Sequence, residues 1–127
     1  MTVPHPVQPT MILLIEDHDD LREALACALE VEGHAVVTAR DGNEGLHLLA
    51  EGLEPRMIIL DLMMPGRDGW SFRAEQTADA RWAEIPTILY SGAAINQAAV
   101  RALGVRGYAA KPDVDGLLKL VALVAAG

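Results

Sequence analysis

Two short apolar runs, Met11-Ile12-Leu13-Leu14-Ile15 and Met57-Ile58-Ile59-Leu60, each stop abruptly on carboxylates: Glu16-Asp17 after the first, Asp61 after the second. Runs of that length without polar alternation read as strands buried on both faces, which demands a parallel sheet covered by helices. The intervening sequence supplies the helices. Asp19 or Asp20 can cap a helix that carries Leu21, Leu25, Ala28 and Leu29 on one stripe and stops at Gly33. Ala35 to Ala39 reads as a second strand, and Asn43 to Glu51 as a short helix built on Leu46, Leu49 and Ala50. After Asp61, Met64-Pro65-Gly66-Arg67-Asp68-Gly69 is turn chemistry, followed by a helix from about Trp70 to Ala80. Pro86 opens a fourth strand, Thr87-Ile88-Leu89-Tyr90, and Ile95 to Leu103 reads as a helix closed by Gly104. A fifth strand, Tyr108-Ala109-Ala110, runs into Lys111-Pro112, and a last helix occupies roughly Val114 to Ala125.

Five alternating strand–helix units predict an α/β domain with helices on both faces of a parallel sheet. At 127 residues the chain suits one domain, residues 11–127, preceded by a loose arm over residues 1–10 with Pro4, Pro6 and Pro9. That arm lacks the basic region of a signal peptide, and no apolar run is long enough to span a bilayer. Aromatics make up only 4% of the residues, so aliphatic side chains must fill the core. The lone Cys27 excludes an internal disulfide, fits a reducing cytoplasm, and is expected to be a small buried hydrophobe. A net charge of -8 repels phosphate backbones, which argues against nucleic acid or anionic membrane as direct partners and favours cations.

In open sheets of this kind ligands bind beyond the carboxyl ends of the strands. There the sequence places Glu16 and Asp17, then Asp61, then Ser91, then Lys111, one set after each of four strands. Singly, each has a plainer reading: a helix cap for the carboxylates, a turn residue for Ser91, a solvated amine for Lys111. Their joint placement is what those readings leave unexplained. Three clustered carboxylates repel one another unless a cation intervenes, and a hard divalent ion such as Mg2+ suits oxygen donors. Lys111 offers a point charge, and Ser91 a hydroxyl, to a phosphoryl oxygen.

The stretches Leu14-Ile15-Glu16-Asp17-His18, Leu60-Asp61-Leu62-Met63-Met64-Pro65-Gly66-Arg67-Asp68-Gly69, Tyr90-Ser91-Gly92 and Gly107-Tyr108-Ala109-Ala110-Lys111-Pro112 resemble the response-regulator receiver domains of two-component signalling. The resemblance runs from about residue 11 to the end. It implies a flavodoxin-like, doubly wound five-stranded sheet in the order 2-1-3-4-5 with five helices. It also implies that Asp61 accepts a phosphoryl group from a histidine kinase or histidine phosphotransfer protein. Asp17, Asp61 and the Met63 carbonyl would ligate Mg2+ directly, with Glu16 acting through water. Ser91 and Lys111 would contact the phosphoryl oxygens, Tyr108 would be the switch aromatic, and Lys111-Pro112 would be cis. No separate substrate would be turned over.

The chain departs from the family pattern in places. The segment from Ser91 to Lys111 is about two residues short, so Gly92 to Gly104 is expected to be trimmed or irregular. Asp113 stands where an aromatic or aliphatic residue is usual. Met63 and Ala93 flank the path of a hydrolytic water without a side-chain hydrogen bond to offer, which predicts slow self-dephosphorylation. On the last helix Leu117, Leu118, Leu120, Val121, Leu123 and Val124 spread over about half the circumference, wider than a one-sided stripe; a homodimer through that helix is one reading. Trp70 and Trp82 are expected to be packing residues. With no output module after Gly127, a stand-alone receiver is expected, a hybrid-kinase module or phosphorelay intermediate being the alternative. A phosphatase of the haloacid dehalogenase type would need an acid where Met63 stands. A receiver-like scaffold that only binds partners would be expected to have lost members of the acidic pocket.

Overall fold

Strand β1 (Met11–Ile15) lies at the centre of one side of a parallel sheet, between β2 (Ala35–Ala39) and β3 (Met57–Leu60), with β4 (Thr87–Ser91) and β5 (Gly107–Ala110) continuing outward. The order is therefore β2-β1-β3-β4-β5, as the family resemblance implied. This computed structural model describes residues 10–64 and 68–127. The arm expected over residues 1–10 lies, up to residue 9, outside the described residues, as does the tip of the turn after Met64.

The register brings the strand ends level. Ile15 pairs with Ala39 on one side and Leu60 on the other, Leu60 with Leu89, and Ser91 with Ala110. The residues that follow these pairs share one edge of the sheet, at the β1/β3 junction where the strand order reverses.

Five helices cover the sheet: α1 (Asp19–Val31), α2 (Gly42–Ala50), α3 (Gly69–Ala78), α4 (Gln97–Leu103) and α5 (Val114–Ala126). Because strand side chains alternate, Ile12, Leu14, Ile59 and Tyr90 point to the face packed by Leu25 and Leu29 of α1 and Leu117 and Val121 of α5. Leu13, Ile15, Ile58 and Leu89 point to the other face, against Leu49 of α2 and Phe72 of α3. Each such aliphatic residue, buried from water, contributes about 1.5–3 kcal/mol before entropy is counted.

The helix ends differ from expectation where side chains compete for caps. His18, rather than Asp19 or Asp20, caps α1: its Nδ1 accepts the Leu21 amide at 3.2 Å, and the two aspartates fall in the first turn, where the helix dipole favours them. Asn96 caps α4 by accepting from the Ala99 amide at 2.9 Å, which leaves Ile95 outside the helix and makes α4 two residues shorter at its start than expected. Gly104 ends it in the left-handed region at φ 67°.

Two packing expectations fail. Cys27 is exposed; two residues from Leu25 is about 200° around a helix, which turns it to solvent. Trp70 is 46% exposed in the first turn of α3, whereas Trp82 packs partly buried against the core beside the Arg81 guanidinium. On α5, Leu118, Leu120 and Val124 do reach the core, and Leu123 stands 72% exposed. Among the described residues no helix is long and apolar enough to cross a membrane.

Candidate functional site: a carboxylate pocket at the strand ends

Asp61 follows β3, and its main chain is still tied to the sheet, the Asp61 amide donating to the Ile15 carbonyl at 3.3 Å. Its side chain, 4% exposed, is held at both oxygens. Oδ1 accepts from the Met63 amide at 3.0 Å and from Ser91 Oγ at 2.8 Å; Oδ2 accepts from Lys111 Nζ at 2.7 Å. Gly69 is what lets the returning chain pass so close. A Cβ there would run into the main-chain oxygen of Asp61 and come within 2.6 Å of Leu62 Cα.

Glu16 is equally enclosed. Its amide donates to the Ala39 carbonyl, the last tie to the β2 side, and its carboxylate is divided between Lys111 Nζ at 2.6 Å and the His18 amide at 3.2 Å. Asp17 is partly exposed beside it, and Glu16, Asp17 and Asp61 present oxygens that all lie within 4.8 Å of one another. The five sequence-identified side chains at the strand ends are thus brought together. Met63 joins through its amide, while its side chain is 64% exposed.

Burial is the main cause that raises the Glu16 pKa above its ordinary value, with Lys111 and the His18 amide opposing it. For Lys111, burial works to lower the pKa, but the bonds to Asp61 and Glu16 outweigh it, and the ammonium is held above its ordinary 10.5. One firmly protonated lysine facing three carboxylates leaves an excess of negative charge on hard oxygen donors. That donor set fits Mg2+, which is bound through one or two carboxylates with the rest of its shell left to water or phosphate.

Tyr108 lies on β5 with its hydroxyl donating to the Ala93 carbonyl at 2.8 Å, and 3.4 Å from that of Ser91. Ala93 in turn donates its amide to Ser91 Oγ at 3.3 Å. A continuous chain of hydrogen bonds therefore runs from Asp61 through Ser91 and Ala93, in the segment leading into α4, to Tyr108 on β5. The Lys111-Pro112 peptide is cis, as the resemblance implied. Sequence reasoning missed the supporting roles of His18 and Arg22, whose bonds run backwards from α1 to the β1 end; the only signal was their closeness to Glu16-Asp17.

The family model described as the response regulator receiver domain matches residues 12–122. The chain is 33% identical over 119 residues to the protein PilH of Pseudomonas aeruginosa, covering 91% of this chain and 98% of that one. It is 51% identical over 59 residues to the transcriptional regulatory protein AfsQ1 of Streptomyces coelicolor, spanning only 26% of that protein's length. Among solved structures it resembles response regulator protein TrrA of Thermotoga maritima, solved in complex with Mg2+ and BeF, with a TM-score of 0.79, 26% identity, and 91% of this chain and 98% of that one covered.

Proposed function

The chain belongs to the response regulator receiver domains, and from that premise we propose that it accepts a phosphoryl group on Asp61, from a histidine kinase or histidine phosphotransfer protein, and thereby switches its contacts with other proteins. The observation that carries this reading is the Asp61 carboxylate gripped by Ser91, Lys111 and the Met63 amide, with Glu16 and Asp17 alongside.

In this reading an Asp61 oxygen attacks the phosphorus of a phosphohistidine; the P–O bond forms as the P–N bond breaks, and the imidazole leaves. Glu16, Asp17, Asp61 and the Met63 carbonyl would hold Mg2+, which supplies charge neutralisation for the transferring phosphoryl group. Lys111 and Ser91, already aimed at Asp61, turn to phosphoryl oxygens once the acceptor is occupied. As Ser91 turns away from Asp61, its bond to the Ala93 amide shifts, and the Tyr108 contact with Ala93 shifts with it. That is how the α4 segment would report the state of Asp61. The receiver family acts in signalling rather than by turnover of a separate substrate. Met63, with no acid to offer, stands against the phosphatase alternative.

The nearly full-length match to PilH supports a stand-alone receiver, and the partial match to AfsQ1 supports a module of a larger regulator.

The deciding experiment is phosphorylation by a labelled small-molecule phosphodonor or a purified phosphotransfer protein, in Mg2+, of the wild type and Asp61→Asn. Label is expected on the wild type alone; label on the folded Asp61→Asn protein would remove Asp61 from the assignment.

A further inference from the structure

Arg22 belongs to the first turns of α1, yet its guanidinium reaches back to the loop that ends β1. Nη1 donates to the Glu16 carbonyl at 3.0 Å and lies 3.5 Å from the Asp17 carbonyl, while Nη2 lies 2.6 Å from Asp19 Oδ1. The Arg22 side chain is 18% exposed and that of Asp19 83%. An ion pair so open to water adds little stability of its own. It does hold the planar fork in one orientation, facing the main chain.

The Glu16 carbonyl lies one residue beyond the last paired position of β1. Glu16 is otherwise held by its amide, which donates to the Ala39 carbonyl, and by its side chain, to Lys111 and to the His18 amide; its own carbonyl is the main-chain group that Arg22 holds. Arg22 therefore grips the main chain from behind while Lys111 grips the carboxylate from the front. The force it works against is also present: three carboxylates within 4.8 Å repel one another, and the repulsion pushes the Glu16–Asp17 loop away from Asp61.

We propose that Arg22 is a positioning residue of the carboxylate pocket, one that sets the spacing of Glu16 and Asp17 from Asp61 by pinning their main chain. The proposal rests on the reading of that pocket as a Mg2+ site. It predicts that metal affinity depends on a side chain that touches neither the metal nor the phosphoryl group.

The test is a Mg2+ titration followed by amide NMR on the full chain, comparing the wild type with Arg22→Gln and Arg22→Lys. Glutamine keeps a good helix former at the position. Arg22→Gln is expected to bind Mg2+ about 10–100-fold more weakly, the usual effect of losing an outer-shell support. Arg22→Lys falls between, since an ammonium can reach one carbonyl without reproducing the fork. A helix contact with no positioning role would instead lower the urea midpoint at unchanged Mg2+ affinity, and that result overturns the proposal. A metal-free arm follows hydrogen exchange of the His18 amide, which donates to Glu16. Faster exchange in Arg22→Gln supports the pin; unchanged protection overturns it. Should the wild type bind no Mg2+, the proposed function falls, and the metal-free arm still decides the role of Arg22.

Discussion

Nζ of Lys111, at the end of β5, lies 2.6 Å from Oε1 of Glu16, at the end of β1. The bond crosses the mouth of the pocket above β3, so that one ammonium serves both Glu16 and Asp61. Its consequence is electrostatic. The metal-free protein carries more buried negative charge here than it can neutralise, a burden on stability that suits a site made for a cation.

That burden has a pH signature. Burial raises the Glu16 pKa in the folded state above its ordinary 4.5, so the folded protein binds this proton more tightly than the unfolded chain. The resulting stability is fully present below 4.5 and is lost as the pH rises through the higher folded-state value. Without Mg2+, Glu16→Gln is expected to match the wild type at acid pH and to become relatively more stable toward neutrality. Urea midpoints in a chelating buffer check this; a difference independent of pH would contradict it.

Arg73 is 6% exposed and bonds only uncharged acceptors among the contacts resolved for it: the carbonyls of Leu103 and Gly104, Gln76 Oε1 and Thr87 Oγ1, at 2.9, 3.0, 2.9 and 3.1 Å. It ties the C-terminal end of α4 to α3 and to the start of β4. Arg73→Ala is expected to lower stability by about 2–3 kcal/mol through the unpaired carbonyls it leaves. Arg73→Lys is expected to recover little, because an ammonium cannot serve both carbonyls and both side chains. Equal midpoints for wild type and alanine variant in urea would refute this.

Tyr90 sits on β4 immediately before Ser91, with its ring 1% exposed and its hydroxyl buried without a hydrogen-bond partner among the described groups. A buried unpaired hydroxyl costs about 1–3 kcal/mol. Tyr90→Phe removes the hydroxyl and keeps the ring, and is expected to unfold at a higher urea concentration than the wild type. A lower midpoint would mean that the hydroxyl has a partner after all.

Gly69 opens α3 against the back of Asp61, and a methyl group there has no room beside the Asp61 carbonyl and Leu62. The obstruction is main chain, which cannot swing aside like a flexible side chain. Gly69→Ala is expected to destabilise the fold and to weaken Mg2+ binding together, because relief of the clash moves Asp61. Normal metal affinity in a destabilised variant would show that the strain is absorbed elsewhere.

Phosphoryl lifetime is the fifth expectation. Met63 stands two residues after Asp61 and bonds it through its amide, Ala93 stands two after Ser91 and bonds that hydroxyl through its amide, and neither side chain can orient a water. Once labelled, Asp61 is expected to lose its phosphate slowly, and Met63→Asn to lose it faster. Loss within seconds from the wild type, followed in Mg2+ buffer, would refute the idea.

Much of this protein was legible without coordinates. Met11 to Ile15 and Met57 to Leu60 read as doubly buried strands, and each ends where its sequence turns from aliphatic to acidic, which singles out Glu16, Asp17 and Asp61. The exposure of Cys27 is equally local, since it lies about 200° around the helix from the buried Leu25. The reason is that strand period, helix period and the polarity of strand ends are local properties, written in neighbouring residues. The fork of Arg73 on the end of α4, the reach of Arg22 back to Glu16 and the Tyr108 hydroxyl on Ala93 were decided only by the tertiary structure. Each depends on which donors and acceptors are left over when helices dock on the sheet, and partners such as Arg73 and Leu103 stand 30 residues apart. Asp61 shows both halves. Its place at a strand end is in the sequence, but its grip by Ser91 and Lys111 exists only because the strands on which they sit are packed in register beside it.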